Sequence, residues 1–303
     1  MLTDTLPKSV RIVEVGPRDG LQNEKATLST EVKTKLIDLL AMAGTPVVEA
    51  GAFVSPKWVP QMADTALVLA AMTKRPNVTY PVLVPNDKGL DLAIANDVDE
   101  IAVFTAASNT FNQKNTNATI EESFERLAPV IERATAHGLR VRGYVSCVLG
   151  CPFEGEIDPA VVANVTRRLL DLGCYEVSLG DTIGTGTPAK TEVMLNAVLD
   201  VAKPDELAMH FHDTYGQALA NLMVGLQKGI AVIDSSVGGL GGCPYAPGAG
   251  GNVATEDVLY MLHGCGVRTG IDLAKTVDTA RWISQQLGRD VASRVGRAFK
   301  DAK

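Results

Sequence analysis

Three separated fragments of the chain carry residue types that could hold a cation and do chemistry beside it. Arg18 and Asp19 lie in VEVGPRDGLQNEK, His210 and His212 lie in AMHFHDTYGQ, and a glycine-rich run extends over 235–252. Each fragment stands where a predicted strand gives way to a loop. Together they offer a carboxylate, two imidazoles, a guanidinium, an amide and a thiol. Such a set is typical of a divalent-metal site with catalytic groups around it.

The histidine pair is the first indication of a metal. His210 and His212 are two residues apart on a predicted strand, so their side chains point to the same face. Asp19 adds an anionic oxygen and Asn252 a neutral one. Oxygen ligands mixed with histidine, without a cysteine pair nearby, favour Mg2+ or Mn2+ over structural zinc. We therefore predict a divalent-metal site made of these four residues; the alternative is a hydrogen-bonded polar core.

The glycine-rich run predicts a mobile lid. Between Ser235 and Asn252 the sequence has seven glycines and two prolines. Glycine adopts backbone angles that other residues avoid, so such a stretch can close over a ligand. No Lys-Ser or Lys-Thr follows the glycines, which excludes a phosphate-binding P-loop. Cys243 lies within the run, and its thiol is a candidate for proton transfer. The alternatives are a wide turn and a buried structural thiol.

Charged residues at other strand ends are candidates for supporting roles. Glu49 ends the apolar run VVEAG, where an unpaired carboxylate would be costly, so we expect it to pair with Arg18 or to support a metal ligand. Asp181, after VSLG, has the same status. Arg18 could hold a carbonyl oxygen as negative charge develops on it, or form only a surface ion pair. Lys25 faces either solvent or an anionic ligand.

The elements that must position these residues alternate along the whole chain. Short β-branched runs are separated by longer amphipathic segments. Eight strands are predicted: Val10–Val15, Val47–Ala50, Thr79–Val84, Glu100–Phe104, Arg140–Ser146, Glu176–Leu179, Leu207–Phe211 and Val232–Val237. Eight strand–helix units without a long linker predict a single (β/α)8 TIM barrel. The alternative is an open doubly wound sheet, which normally begins with a G-x-G-x-x-G turn that GPRDG lacks.

This barrel is expected to form one domain over residues 1–303. The barrel itself should extend from about 8 to about 265, and extra C-terminal helices from about 271 to the end. In such barrels the active site lies at the C-terminal ends of the strands. The candidate residues named above should therefore converge at one mouth of the barrel.

Bulk composition limits the partners and the compartment. The chain has 303 residues, 46% of them apolar, and a net charge of −7. An acidic chain disfavours nucleic acid or an anionic membrane as the main partner. No apolar run approaches the length of about 20 residues of a membrane span, and no secretory signal is visible. The five cysteines are irregularly spaced, which indicates free thiols in a reducing cytoplasm, with Cys147 and Cys151 as packing thiols.

Over about 10–269 the chain closely resembles the 3-hydroxy-3-methylglutaryl-CoA (HMG-CoA) lyase family of DRE-type metal-dependent barrels. The segments that carry the likeness include FVSPKWVPQM, VRGYVSCVLGCP, GCYEVSLGDTIGTGTP, HFHDTYGQALAN and, most specifically, SVGGLGGCPYAPGAGGNVATED. The resemblance implies that Asp19, His210, His212 and Asn252 ligate Mg2+ or Mn2+. It further implies that Glu256 supports the site or contacts the lid.

The resemblance also implies a reaction. This is the retro-Claisen cleavage of HMG-CoA to acetyl-CoA and acetoacetate, a step of leucine and ketone-body metabolism, with an acyl-CoA substrate and a homodimeric enzyme. Arg18, Gln22 and Lys25 would bind the substrate, and Arg18, Cys243 and His210 would be catalytic. The general base stays open among His210, Asp19 acting through water, and a metal-bound hydroxyl.

Three other functions compete with this interpretation. One is a lyase for a related branched 3-hydroxyglutaryl-CoA, such as an isohexenyl analogue, which would use the same residues. The others are a Claisen-type synthase and a non-catalytic barrel that binds acyl-CoA. The chain also departs from the family pattern at two positions: Gly238 replaces the usual alanine and predicts a looser lid, and Ala52 stands where serine or threonine is common.

Overall fold

A parallel β-sheet forms the centre of the computed structural model, which describes residues 5–24, 26–242 and 251–300. All strand pairs in the described ranges are parallel. The strands are β1 (Arg11–Glu14), β2 (Val47–Val48), β3 (Gly51–Ala52), β4 (Val82–Leu83), β5 (Glu100–Ala106), β6 (Arg140–Ser146), β7 (Glu176–Asp181), β8 (Leu207–Phe211) and β9 (Val232–Ser235).

The sheet closes on itself because β2 and β3 are two stretches of one extended strand. β2 pairs with β1, and β3 pairs with β4. Between them the Glu49 amide donates to Glu14 O and the Ala50 amide donates to Pro81 O, each at 2.9 Å. β1 also pairs with β9, so the ladder returns to its start. The result is an eight-stranded (β/α)8 TIM barrel, as the sequence predicts.

The predicted strands match the observed ones closely in position. β6 and β8 have the predicted bounds, whereas β4 is shorter than the predicted Thr79–Val84. The pairing nevertheless continues beyond β4, because Thr79 O accepts from the Val48 amide at 3.0 Å and the Val84 amide donates to Ala102 O at 2.8 Å. β4 is shorter than predicted because the regular ladder is interrupted at Pro81, which has no N–H to donate.

Helices cover the outside of the barrel. They are α1 (Thr30–Met42), α2 (Thr65–Ala71), α3 (Asp87–Ala95), α4 (Asn109–Thr116), α5 (Ile120–Ala136), α6 (Pro159–Asp171), α7 (Pro188–Leu199), α8 (Ala218–Gln227), α9 (Thr255–Gly264), α10 (Leu273–Gln286) and α11 (Arg294–Ala298). The last two are the extra C-terminal helices that the sequence predicts. α10 packs against α1, α9 and the turn over 237–239 that follows β9.

Local capping chemistry sets several helix bounds. Asp158 and Thr187 precede a proline at the first helical position, and each side chain accepts a hydrogen bond from a backbone amide of the first turn. Ser29 caps α1 in the same way. No helix among the described residues is long and apolar enough to cross a membrane.

The interior of the barrel contains an apolar cluster next to buried polar side chains. A buried cluster of small side chains fills one part of it: Val13, Val15, Val47, Ala208 and Val232. Side chains two positions apart on a strand share a face. The next residues on the inner faces of β8 and β9 are therefore His210 and Asp234, which are both buried. Both residues stand in the second half of their strands.

Candidate metal centre and active site

A tight π-helical turn over Gly16–Gly20 presents Arg18 and Asp19 at the mouth of the barrel. Both flanking glycines are required by close packing. A Cβ on Gly16 would lie 2.6 Å from Glu14 Oε1, and a Cβ on Gly20 would lie 2.7 Å from Leu240 Cβ. The sequence GPRDG thus allows the first loop to pack directly against the segment that follows β9.

Asp19, His210 and His212 meet at this mouth. One ligand atom from each residue lies within 4.8 Å of the others. Asp19 Oδ2 is 3.9 Å from His210 Nε2, and the two imidazole rings have centroids 5.5 Å apart. Asp19 and His210 are 191 positions apart in sequence, yet together with His212 they form one cluster, as predicted.

The donors in this cluster fit a divalent cation. The Nδ1 atom of His212 is buried and has no hydrogen-bond partner in the described ranges. Burial, together with the nearby His210, lowers the pKa of His212 to about 4, so its ring is neutral at pH 7. The 3.9 Å between Asp19 Oδ2 and His210 Nε2 exceeds a hydrogen bond. It lies within the span of two metal–ligand bonds of about 2.1 Å each. One carboxylate and two imidazoles of this kind could hold a divalent metal ion.

Asn252 adjoins the cluster through its side chain. Its Nδ2 atom donates to Asp19 Oδ2 at 2.8 Å and to Leu240 O at 3.3 Å. The backbone around it pairs with His212 in an antiparallel bridge. The amide nitrogen, rather than the oxygen, therefore faces Asp19, and the oxygen would reach a cation there only after the amide turns by about 180°.

Arg18 lies between two carboxylates. Its Nε donates to Glu49 Oε2 at 2.8 Å, its Nη2 lies 2.7 Å from the same oxygen, and its Nη1 donates to Asp19 Oδ1 at 2.8 Å. Burial opposes the charge of Arg18, but these two carboxylates outweigh it and raise the arginine pKa above its usual range. Arg18 and Glu49 are therefore a buried pair rather than a surface pair, with Arg18 5% and Glu49 0% exposed.

Tyr144 on β6 is a site residue that the sequence analysis missed. Its hydroxyl donates to Glu49 Oε1 at 2.8 Å and accepts from Arg142 Nη1 at 2.7 Å. The Arg18 guanidinium carbon lies 5.4 Å from the centroid of the Tyr144 ring, and the ring of His210 meets it edge-on at 5.9 Å. Tyr144 thus joins the arginine to the histidine end of the cluster. Arg142 and Tyr144 are two positions apart on a strand and so share a face, and this spacing is the signal that could have revealed Tyr144.

Asp234, beside His210, is a second residue that the sequence analysis missed. Asp234 on β9 accepts from both Nη atoms of Arg142, at 2.7 and 3.1 Å, and from Ser178 Oγ at 2.7 Å. Its Oδ2 lies 3.2 Å from His210 Nδ1. Glu176 Oε1 accepts from Arg142 Nε at 2.7 Å. Burial raises the pKa of Asp234, yet the charge of Arg142 outweighs that effect and holds this pKa well below its usual range.

Asp181 does not join the cluster through its side chain. Its Oδ2 accepts from the Gly186 amide at 2.9 Å, and its Oδ1 is buried without a partner in the described part of the chain. Burial raises its pKa to about 6, although hydrogen bonds from the 184–186 backbone oppose that rise. The contact with His212 is through the backbone, from the His212 amide to Asp181 O at 3.4 Å.

Glu256 lies under the start of the glycine-rich run. Its two carboxylate oxygens accept from the Gly238 amide at 3.1 and 3.0 Å, and Oε1 accepts from Ser293 Oγ at 2.6 Å. Gly238 has a φ of 66°, a region that favours glycine. At the far end of the run the Gly251 amide donates to Gly241 O at 3.1 Å. This bond joins the backbone on either side of residues 242–250.

The remaining predicted residues are placed as follows. Gln22 is half-buried in the helical turn after Asp19. Lys25 and Cys243 lie outside the described residues. Cys147 and Cys151 are free, and both belong to a buried apolar cluster, which supports the prediction that they are packing thiols.

Comparisons with known proteins agree with this fold. Residues 9–283 match the HMGL-like family model. Hydroxymethylglutaryl-CoA lyase, mitochondrial, from Macaca fascicularis is 58% identical over 295 residues, which cover 97% of this chain and 91% of that protein.

Two solved structures extend the likeness to three dimensions. Hydroxymethylglutaryl-CoA lyase from Pseudomonas aeruginosa has a TM-score of 0.96 and 56% identity, covering 97% of this chain and 98% of that one. An HMG-CoA lyase from Acinetobacter baumannii, in complex with coenzyme A and 3-methylmalate, has a TM-score of 0.92 and 35% identity, covering 98% and 97%. With the family model matched over most of its length, the chain belongs to the HMGL-like family.

Proposed function

We propose that this protein is a carbon–carbon lyase that cleaves HMG-CoA to acetyl-CoA and acetoacetate. The observation that carries the proposal is the cluster of Asp19, His210 and His212 beside a buried arginine, Arg18, at the catalytic end of the barrel. The high identity to named HMG-CoA lyases over nearly the whole chain supports the same reaction.

The metal is proposed to be Mg2+ or Mn2+, held by Asp19, His210, His212 and Asn252. A carboxylate and an amide oxygen beside two imidazoles suit these ions. When bound, such a cation acidifies the tertiary hydroxyl of the substrate and orients it. The acceptor of the hydroxyl proton is proposed to be one of the three candidates named above: His210, Asp19 acting through water, or a metal-bound hydroxyl.

Arg18 is proposed to hold the thioester carbonyl. Bond cleavage moves an electron pair into the thioester, and negative charge develops on its oxygen. Of the five N–H groups of an arginine, the contacts to Glu49 and Asp19 use three. The other two can donate to the developing enolate oxygen. One preorganised donor of this kind lowers the barrier by about 3 kcal/mol.

The remaining proposals concern substrate contacts, supporting residues, domain organisation, oligomeric state and compartment. Gln22 and Lys25 are proposed to contact the acyl-CoA, with Glu49, Asp181 and Glu256 in supporting roles. The chain is proposed to form one domain, to act as a homodimer and to reside in the cytoplasm. Free cysteines at every described cysteine position support a reducing compartment.

A coupled assay for acetyl-CoA release at saturating Mg2+ tests the reaction and the substrate. We expect HMG-CoA to be cleaved with the highest kcat/KM, because the chain is 58% identical to a named hydroxymethylglutaryl-CoA lyase over 97% of its length. An isohexenyl analogue is the comparison substrate. A higher kcat/KM for the analogue would show that the analogue, and not HMG-CoA, is the preferred substrate. Cleavage of neither compound would contradict the lyase assignment.

Removal of the metal should abolish activity. After treatment with EDTA and desalting, we expect turnover to fall to background and to return on addition of Mg2+ or Mn2+, because the hydroxyl is otherwise not acidified. Initial rates measured against added metal give the result. Addition of Ca2+, which prefers more ligands and longer bonds, is the matched control. Full activity in metal-free protein would contradict the proposal.

For Cys243 we expect a loss of turnover without a loss of metal. The thiol is proposed to deliver a proton to the enolate, so Cys243→Ala should lower kcat by about 100-fold or more, the size of a general-acid effect. Mn2+ affinity should stay within about threefold of wild type, because the thiol is not among the proposed ligands. Cys174→Ala, at a buried thiol in the turn before β7, is the control. Unchanged turnover in Cys243→Ala would show that the thiol takes no part in the reaction.

A further inference from the structure

The buried carboxylate of Asp234 faces the side of His210 that points away from Asp19. Oδ2 of Asp234 lies 3.2 Å from His210 Nδ1, while Nε2 of the same ring lies 3.9 Å from Asp19 Oδ2. We propose that Asp234 is a positioning residue that keeps the proton of His210 on Nδ1 and so leaves Nε2 free to bind the cation. This inference rests on the proposed metal site.

Hydrogen-bond directions decide which nitrogen carries the proton. Arg142 has only donors, and it gives two of them to Asp234, at 2.7 and 3.1 Å. Ser178 Oγ donates to Asp234 Oδ2 at 2.7 Å. Asp234 is therefore an ionised carboxylate and only accepts. Its contact with His210 is a hydrogen bond only if Nδ1 donates.

The carboxylate itself is held in one orientation. Asp234 is 2% exposed and Arg142 is 1% exposed, so neither exchanges its partners with water. The arginine fork fixes both oxygens of Asp234 at once, which a single donor could not do. Arg142 is fixed in turn by Glu176 and by the Tyr144 hydroxyl. Asp234 on β9, held by Arg142 on β6 and Ser178 on β7, therefore fixes the orientation of the His210 ring.

A simpler role would make Asp234 only a counter-charge for Arg142. Glu176 offers a direct comparison, because it is also buried, also pairs with Arg142 at 2.7 Å, and has no contact with His210 among the described residues. If charge balance were the whole role, neutralising either carboxylate would have the same consequences. If Asp234 positions the histidine, substitution of Asp234 affects the metal, whereas in Glu176→Gln the amide oxygen still accepts from Arg142 Nε and keeps the arginine in place.

The test compares Asp234→Asn with Glu176→Gln. In Asp234→Asn the side-chain NH2 can face His210 and donate to Nδ1, which forces the proton onto Nε2 and removes a ligand lone pair. Outer partners of metal ligands typically contribute 10–100-fold to metal affinity. We expect the Kd of Mn2+, measured by electron paramagnetic resonance, to rise by about 10–100-fold in Asp234→Asn, and kcat to fall with little change in KM. In Glu176→Gln the Kd should stay within about threefold of wild type.

The outcomes separate this inference from the proposed function. If wild type fails to bind Mn2+ or to cleave HMG-CoA, the proposed function itself fails. If wild type binds and cleaves, but Asp234→Asn binds Mn2+ as tightly as Glu176→Gln, the positioning role is wrong.

A measurement on wild type covers the case in which Asp234→Asn does not fold. The chain has four histidines, few enough for their ring nitrogens to be resolved by long-range 1H–15N correlation. At a pH high enough for the His210 ring to hold a single proton, metal-free wild type should show that proton on Nδ1. Protonation on Nε2 would overturn the inference.

Discussion

Replacing Arg18 with glutamine should lower kcat by about 100- to 1,000-fold, the loss that follows removal of one donor to a developing oxyanion. The KM for HMG-CoA should change less, because the carbonyl carries full negative charge only in the transition state. Steady-state kinetics at saturating Mg2+ give both constants. Arg167→Gln, which removes an exposed guanidinium paired with Asp171 on α6, is the matched control and should have wild-type kinetics.

Stability must be separated from catalysis in this experiment. The structure buries Glu49 completely against Arg18. Breaking a buried pair by removing one partner typically costs about 3–5 kcal/mol, because the other charge stays uncompensated. We therefore expect a clear fall in the Tm of Arg18→Gln.

A second substitution resolves the two effects. In the double variant Arg18→Gln, Glu49→Gln the buried charge is gone, and two amides can hydrogen-bond each other and the Tyr144 hydroxyl. Most of the lost stability should return, while kcat stays low. A double variant with wild-type kcat would remove Arg18 from the reaction. A single variant as stable as wild type would show that Glu49 does not depend on the arginine.

The fold could be predicted from the sequence because its signals are local. Valines alternating with other residues predict β6, and the apolar run LAMHF predicts β8, both with their observed bounds; Asp158-Pro159 and Thr187-Pro188 mark the starts of α6 and α7. The alternation of the two element types then restricts the topology to very few folds. At β4 the prediction is too long, because a proline inside the run interrupts the regular ladder.

The convergence of Asp19, His210 and His212 could also be predicted, because every parallel strand of a barrel ends at the same mouth. The network behind them could not. Arg142 and Tyr144 alternate with apolar residues along β6, a pattern that equally describes a strand with one face in water. Only closure of the barrel turns that face inward and brings Arg142 against Asp234, which lies 92 positions away in sequence.

Replacing Asp19 with asparagine should remove metal binding at physiological Mg2+ and with it nearly all activity. Asp19 is the one anionic donor among the proposed ligands, and an amide of the same shape keeps the packing but not the charge. We expect the Kd of Mn2+ to rise by at least about 100-fold, since even partners of ligands reach 10–100-fold. Asp213→Asn is the control, because Asp213 follows His212 directly but pairs with Arg294 at 2.8 Å.

Thermal unfolding gives a readout of Asp19 that does not depend on turnover. A ligand that binds only the folded state stabilises it by RT ln(1 + [L]/Kd). At a Mn2+ concentration of 100 times the wild-type Kd, wild type and Asp213→Asn should each gain about 2.7 kcal/mol. With a 100-fold weaker site, Asp19→Asn should gain only about 0.4 kcal/mol at the same concentration. A gain in Asp19→Asn equal to that of wild type would mean that the cation binds elsewhere, and the mouth of the barrel would lose its role as the metal centre.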